Sequence, residues 1–353
     1  MQRRKKIVVS SFGINTGGGL TLLTDLCKSN HFIKKILLDY RLKKNKKFKK
    51  IKKVFISKNY FIALIIFIKE IYKCQKNDIF LCYNNIPPLI KPKCKTVLFL
   101  QNAFFVSDIK IKLKLSDKLK LYLLKSIFYF CLSNVNIIYV QNLFLKKKII
   151  QILKKKKLTN IKVYKLILLT KKLKNRIINK KKKFPSINKK KYNFLYPASF
   201  SIHKNYDNLI KSFKYNSSKN IKLYLTLSNE DFNSLKIKHD LKKDHLYKIN
   251  NLGLLSEKDL ENFYKKCNLI FPSFLESFGL PLYEAYSYNS QIIASDRNFV
   301  NENFKNVIKF NPSNPVSITK AVNFAIKKKV NNNVLKVNSK LILSNNDFLK
   351  KII

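Results

Sequence analysis

The stretch that most restricts the fold is Asn268 to Ala285, NLIFPSFLESFGLPLYEA. NLIFPS is a short apolar run closed by a proline, the pattern of a buried strand ending at a loop. Pro281 suits the first turn of a helix, where its missing N–H costs nothing, and Leu282 to Tyr288 continue without a breaker. Strand, loop and helix in that order form the unit of an open α/β sheet, whose ligands bind in the crevice beyond the carboxyl ends of the strands. Glu276 is then expected on the loop and Glu284 in the first helical turn. Gly279 and Pro281 break the spacing between them, so the two carboxylates share a crevice and not a helix face. The N–H groups of Phe278, Gly279 and Leu280, free at a helix N-terminus, make a ready site for phosphate. An ionised Glu284 can accept two hydrogen bonds from a vicinal diol such as a ribose. Together these parts describe a pocket for a nucleoside diphosphate.

Glycine usage points to a second loop. The chain has 353 residues but only six glycines, and four of them fall at Gly13, Gly17, Gly18 and Gly19. Where glycine is this scarce, each position is expected to need it. Lys5 to Ser11 reads as a strand, and SFGINTGGGLTLLTDLCKS follows as a glycine-rich turn opening a helix. It matches neither GxGxxG nor the P-loop. It is either a tight strand-to-helix turn or a place where Gly17 to Gly19 let the backbone approach a substrate.

Length and composition bound the rest. A chain of 353 residues that is 46% hydrophobic exceeds one compact core and fits two domains. A net charge of +54 ordinarily suggests nucleic acid or an anionic membrane. Here Lys, Ile, Asn and Phe are abundant together while Trp is absent, which is the drift of an AT-rich genome, so the charge carries little weight. The lysines are spread along the chain without RNP or zinc-finger signatures, and nucleic-acid binding stays a rival reading supported by charge alone. Six scattered cysteines with no CxxC pair indicate buried cytosolic thiols and no zinc site. The apolar run after MQRRKK is too short for a signal peptide, so a cytoplasmic location is expected.

Along the chain, residues 1–170 read as one Rossmann-like domain. Arg41 to Lys53 is a basic run expected on a solvated face, and Phe61 to Ile68 reads as a core helix, far below the ~20 residues of a membrane span. Asp78 to Tyr83 and Thr96 to Leu100 look like buried strands, the second ending in Gln101 and Asn102, which either line a crevice or cap the next turn. Lys110 to Asn134 combines lysines with an apolar face; it suits an anionic bilayer, or a helix facing the core. Ile137 to Gln141 and Ile161 to Leu169 add strands, and residues 171–191, without apolar periodicity, read as a linker.

Residues 192–335 form the second domain. Tyr192 to Phe213 gives a strand, a polar loop and a helix capped near Asn205, with Lys204 on the loop as a candidate phosphate ligand. Lys222 to Leu227 and Tyr247 to Gly253 read as strands, and Ser256 with Asp259 as a helix N-cap. Gln291 to Asn303 supplies one more strand, whose Ser295 and Asp296 could touch phosphate or turn the chain. Residues 336–353 end in a short helix.

The string from Tyr192 to Glu302, with FPSFLESFGLPLYEA at its centre, resembles family 4 glycosyltransferases, and the N-terminal half resembles them more loosely. The resemblance implies the GT-B fold, two Rossmann-like doubly wound parallel-sheet domains facing across a cleft, with a C-terminal helix that crosses back to the first domain. It implies retaining transfer of a sugar from a nucleotide-sugar donor to a glycan or lipid-linked acceptor in surface polysaccharide synthesis, such as lipopolysaccharide or O-antigen, without a metal cofactor. By the same resemblance Glu276 would bind the donor sugar's hydroxyls as the catalytic carboxylate and Glu284 the ribose. Lys204 and the backbone of Ser277, Phe278, Gly279 and Leu280 would bind the diphosphate, and Gly18 and Gly19 would face the substrates' phosphates. The family's usual arginine five residues before Lys204 is Ser199 here, and its common histidine near Gln101 is missing. Many such enzymes use lipid-linked acceptors, which adds an anionic membrane surface as a partner. A nucleotide-sugar epimerase, a phosphorylase or an inactive member of the same fold are the nearer rivals, and the phosphorylase lacks a recognisable pyridoxal lysine motif.

Overall fold

The computed structural model describes residues 5–48, 51–107, 115–179, 192–218, 220–327 and 333–353. The chain divides into two compact units. One runs to Lys174 and includes Asn338–Ile353; the other runs from Asn175 to Val337.

In the first unit β1 (Ile7–Ser10) passes through the glycine turn into α1 (Gly17–Leu26), followed by β2 (Ile33–Asp39), β3 (Lys53–Ile56) and α2 (Tyr60–Tyr72). Then come β4 (Ile79–Cys82), β5 (Lys95–Leu100), α3 (Leu115–Cys131), β6 (Ile137–Val140), α4 (Leu143–Lys155) and β7 (Lys162–Lys165). These strands form a seven-stranded parallel sheet in the order β3-β2-β1-β4-β5-β6-β7. Both faces are covered, which is why β1 (IVVS) and β4 (IFLC) are buried at every residue. The strand order turns back between β1 and β4, and the glycine loop follows β1, so it lies at the switch point of this sheet.

Two segments of this unit differ from the sequence reading. Phe61 to Ile68 lies in α2 but is no core helix: Phe61 is 71% exposed, and Ile62, Leu64 and Ile65 are exposed with it. The segment is apolar on all sides, and a helix lying on a sheet buries only one stripe. Ala63 and Ile71 take that stripe, with Phe67 against Phe80 at a ring-centroid distance of 6.0 Å. The supposed linker begins as a helix, α5 (Lys171–Ile178), which follows β8 (Ile167–Leu169). Leu173 and Ile177 are buried at helical spacing, a short periodicity hidden among the lysines. Residues 180–191 of that linker, and 108–114 at the start of the amphipathic segment, lie outside the described residues.

α3 carries two apolar seams. Phe128 and Cys131 are buried, with the Tyr129 hydroxyl donating to the Phe105 carbonyl at 3.1 Å. Leu115, Leu119, Tyr122, Leu123, Ile127 and Phe130 recur at three- and four-residue spacing and are exposed, Phe130 by 83%. Right-handed crossovers set α2, α3 and α4 on one face of the sheet.

The second unit runs β9 (Asn193–Tyr196), α6 (Tyr206–Lys214), β10 (Lys222–Leu225), α7 (Asn229–Lys238), α8 (Lys243–Lys248), β11 (Ile249–Asn251) and α9 (Glu257–Lys266). It continues with β12 (Asn268–Phe271), α10 (Leu280–Ser287), β13 (Ile292–Ser295), α11 (Asn298–Asn301), β14 (Phe304–Lys305), β15 (Ile308–Phe310), α12 (Pro315–Lys327) and β16 (Val334–Leu335). Its main sheet is six-stranded and parallel, in the order β11-β10-β9-β12-β13-β15. The segment read as a strand from Tyr247 is shared between the end of α8 and β11. Ser256 caps α9 as the sequence indicates, its Oγ accepting from the Asp259 N–H at 3.2 Å.

The tail, β17 (Ile342–Ser344) and α13 (Asn345–Ile352), is part of the first unit. β17 pairs in parallel with β8, and Phe348, Leu349 and Ile352 are fully buried beside Phe99 and Tyr139. All six cysteines are buried free thiols.

Candidate active site

The order of the second sheet fixes where a ligand can sit. Its direction reverses between β9 and β12, so the loops after these two strands flank the switch point, where α/β sheets bind ligands. Both loops contain residues that the sequence singles out.

Buried polar groups lock the two loops together. The Tyr196 hydroxyl at the end of β9 donates to the Lys204 carbonyl at 2.8 Å and lies 3.1 Å from Ser273 Oγ. The Phe274 N–H donates to the His203 carbonyl at 2.8 Å. Asn205 precedes α6 in the left-handed region (φ 60°) and makes no side-chain cap, contrary to the sequence reading. Its buried amide donates instead to the carbonyls of Pro272 at 3.0 Å and Pro312 at 2.7 Å, the second of which also accepts from the Asn208 amide at 2.9 Å. Ser295 Oγ, fully buried, donates to the Ser273 carbonyl at 2.8 Å, so it braces the loop. Asp296 turns the chain, its N–H donating to the Phe310 carbonyl and its carboxylate accepting from Asn301 at 2.6 Å.

On this frame Lys204 and Glu276 meet. Lys204 Nζ is 2.5 Å from Glu276 Oε1, with side chains 16% and 12% exposed, and the ammonium lies 5.9 Å from the centroid of the Phe271 ring. The two residues that the sequence assigns to different parts of a donor neutralise each other here. Next to them His203, missed in the sequence reading, lies with Nδ1 2.7 Å from Ser201 Oγ. Burial pushes its pKa down to about 4, and Lys204 pushes the same way against the pull of Glu276. His203 is therefore neutral at pH 7. Its one legible signal is the rarity of histidine, four in the chain.

The turn between the glutamates is rigid. Gly279 caps α10 in the left-handed region (φ 76°), and a Cβ there would lie 2.9 Å from Leu282 Cδ1 and 3.4 Å from Phe271 Cε1. Glycine is required by conformation, and a Cβ would in addition press on the Leu282 side chain. The Phe278 ring is buried against Tyr283, with centroids 4.3 Å apart and planes at 19°. Burying that ring pins the backbone of Phe278 and Gly279 beside the first turn of α10, where leading N–H groups have no intrahelical acceptor. Ser277 and Leu280 flank this turn, partly exposed.

Glu284 is the fifth residue of α10, in its second turn, because the helix begins at Leu280 and not at Pro281. Its Oε2 accepts from the Tyr264 hydroxyl at 2.7 Å. Burial raises its pKa to about 7; the Tyr264 bond opposes this, and Glu257 and Glu261 on α9 add to it.

Gly18 and Gly19 lie in the first turn of α1 in the first unit, whose left-handed glycines are Gly13 and Gly17. The Gly13 N–H donates to Asp39 at 3.1 Å, and Asp39 is itself forked by Arg41 at 2.7 and 2.8 Å. This staples the loop and leaves Gly18 exposed. Asn102 is a cap, accepting from the Phe104 N–H at 2.9 Å, and Gln101 donates to the Tyr83 carbonyl at 2.8 Å. Among the described residues no three His, Cys, Asp or Glu side chains assemble as metal ligands.

Residues 177–341 match the family described as glycosyl transferases group 1. No curated protein matches the sequence. Among solved structures the chain is similar to HepE from Anabaena in complex with UDP and glucose, with TM-score 0.62 and 12% identity over 93% of this chain and 91% of that one. It is similar to the lipopolysaccharide outer core galactosyltransferase WaaB, with TM-score 0.60 and 13% identity over 99% and 94%. It is also similar to an α,α-trehalose-phosphate synthase (UDP-forming) from Burkholderia vietnamiensis, with TM-score 0.63 and 9% identity over 93% and 92%. At these identities the likeness establishes the fold, GT-B, over nearly the whole chain. The group 1 match at residues 177–341 falls on the unit that holds Lys204, Glu276 and Glu284, within a chain that has the GT-B fold throughout.

Proposed function

We propose that the protein is a retaining hexosyltransferase of the family 4 type, moving a sugar from a nucleotide-diphosphate sugar to a glycan or lipid-linked acceptor in surface polysaccharide synthesis. The observation that carries this reading is the meeting of Lys204, Glu276 and the Gly279 turn at the switch point of the second unit's sheet. The UDP and glucose held by HepE and the lipopolysaccharide role of WaaB support the donor and acceptor classes by analogy.

In this mechanism the donor diphosphate lies against the N–H groups of Phe278, Gly279 and Leu280, with Ser277 beside them. Lys204 turns from Glu276 to the diphosphate and stabilises charge as it develops there. Glu276, released, accepts from the sugar hydroxyls, and Glu284 from the ribose. The bond from the anomeric carbon to the departing phosphate oxygen breaks, and one to the acceptor oxygen forms on the same face. The acceptor's proton passes to the leaving phosphate. No step calls for a metal cofactor. Gly18, exposed, and Gly19, half-buried, lie at the switch point of the first unit's sheet, where this reading assigns them to substrate phosphate. Titration calorimetry with UDP, GDP and ADP, then their sugars, tests the pocket. One nucleotide is expected to bind with micromolar affinity; binding of none, or duplex DNA binding in its place, sinks the reading and revives the inactive-member or nucleic-acid alternatives.

The protein is further proposed to work in the cytoplasm, attached peripherally to the inner face of the cytoplasmic membrane through its first unit. Among the described residues no helix is long and apolar enough to cross a membrane. The exposed apolar residues of α2 and α3 with Lys118, Lys120 and Lys125 suit the interface of an anionic bilayer. The purified protein is expected to sediment with vesicles containing phosphatidylglycerol at low salt and to lose this with Leu119→Lys and Phe130→Lys. Failure of the wild type to sediment would falsify the attachment.

A further inference from the structure

The loop that carries Lys204's partner does not hold the Glu284 carboxylate. The group that does is the hydroxyl of Tyr264, on α9, 2.7 Å from Oε2. Glu284 is partly exposed, and its Oε1 has no hydrogen-bond partner among the described residues.

Tyr264 is itself fixed from several sides. Its ring is 2% exposed, and Ser290 Oγ donates to its carbonyl at 2.5 Å. The ring stacks on Tyr288 with centroids 5.9 Å apart and planes at 7°. The Arg176 guanidinium lies 4.3 Å from the centroid of the Tyr288 ring, donates to the Tyr288 hydroxyl and pairs with Glu261 at 3.6 Å. Lys265 Nζ lies 6.0 Å from the same ring. A hydroxyl on a ring so held has one position available. The carboxylate that accepts from it loses rotation about its own axis, and its second oxygen is aimed.

We propose that Tyr264 is a positioning residue of the donor site: by fixing Oε2 of Glu284 it presents Oε1 to the vicinal hydroxyls of the donor's ribose. The assignment rests on the reading of Glu284 as the ribose acceptor. The electrostatics fit. Burial, Glu257 and Glu261 favour the protonated acid, and the Tyr264 hydroxyl favours the carboxylate that a diol needs. A tyrosine serving only as packing would need the ring and not the hydroxyl.

Tyr264→Phe keeps the ring and its stack and removes the bond. The test is calorimetry with UDP, and with GDP and ADP in parallel, on wild type and variant from pH 6 to 9. It is paired with direct titration of the Glu284 carboxyl by ¹³C NMR in the free proteins. Wild-type affinity is expected to rise with pH through about 7. The variant is expected to bind about tenfold more weakly at pH 7, and its midpoint, by both methods, to move up by about one pH unit. Unchanged affinity and midpoint overturn the proposal, and so does a loss equal at every pH, the signature of a structural role. If the NMR midpoint moves but wild type binds no nucleotide, the donor-site reading has failed, and the assignment of Tyr264 fails with it.

Discussion

Glu284→Ala is expected to weaken nucleotide binding roughly 30- to 700-fold, while Glu284→Gln makes the free protein more stable above pH 7. With Glu284 in its proposed role, the loss follows from removing two charge-assisted hydrogen bonds to a ribose, about 2–4 kcal/mol. The gain follows from the cost of ionising a packed carboxylate. The folded-state pKa, about 7, lies above the ordinary 4.5. Below pH 4.5 both states hold the proton and Glu284 costs nothing. Between 4.5 and 7 the unfolded chain loses its proton first, so stability falls across this window and stays low above it. Glu284→Gln keeps an acceptor for Tyr264 and cannot ionise, so it removes that loss. Allowing for partial exposure, the gain at pH 8 is about 1–3 kcal/mol, several degrees in melting temperature, with no gain at pH 4. Melts at the two pH values read this directly. Equal melting temperatures at pH 8 would show that the carboxylate is well solvated, and an unchanged nucleotide affinity in Glu284→Ala would remove it from the donor site.

Breaking the Lys204–Glu276 pair from either side is expected to destabilise the free protein by about 2–4 kcal/mol, whereas replacing both residues restores most of it. With side chains only 16% and 12% exposed, Lys204→Met leaves a carboxylate without its cation, and Glu276→Gln leaves an ammonium facing the Phe271 ring. The double variant Lys204→Met/Glu276→Gln leaves neither charge and should unfold in urea within about 1 kcal/mol of wild type. Its sugar transfer should still fall at least about 100-fold, because in the proposed mechanism these charges act on the departing diphosphate and the donor sugar. Single-turnover transfer measures this. Additive destabilisation in the double variant would mean the pair is not coupled, and retained turnover would place the chemistry elsewhere.

The elements that the sequence makes legible are those whose signal is local. NLIFPS followed by Gly279 and Pro281 identifies β12, its loop and α10, because a buried parallel strand is an unbroken apolar run and a glycine-capped turn leaves a fixed mark. Ser256 and Asp259 mark the start of α9 in the same way. Where local pattern is ambiguous the reading fails. Residues 61–68 are apolar on every side, and only the packed sheet shows which stripe is covered. Two buried residues, Leu173 and Ile177, are enough to make a helix out of what composition presents as linker.

Local sequence carries the strand and helix pattern of the α/β units, the position of each glycine loop after a strand, and the residue types of the turn between the two glutamates. All of these depend on neighbours within about four residues. Tertiary structure alone decided that Lys204 closes on Glu276 across 72 residues, that Asn205 spends its amide on Pro272 and Pro312, and that Tyr264 holds Glu284 from 20 residues away. Those partners meet because the strand order sets β9 beside β12 and α9 beside α10. That order comes from burying whole sheet faces and from the right-handedness of the crossovers, and no local stretch of sequence carries it.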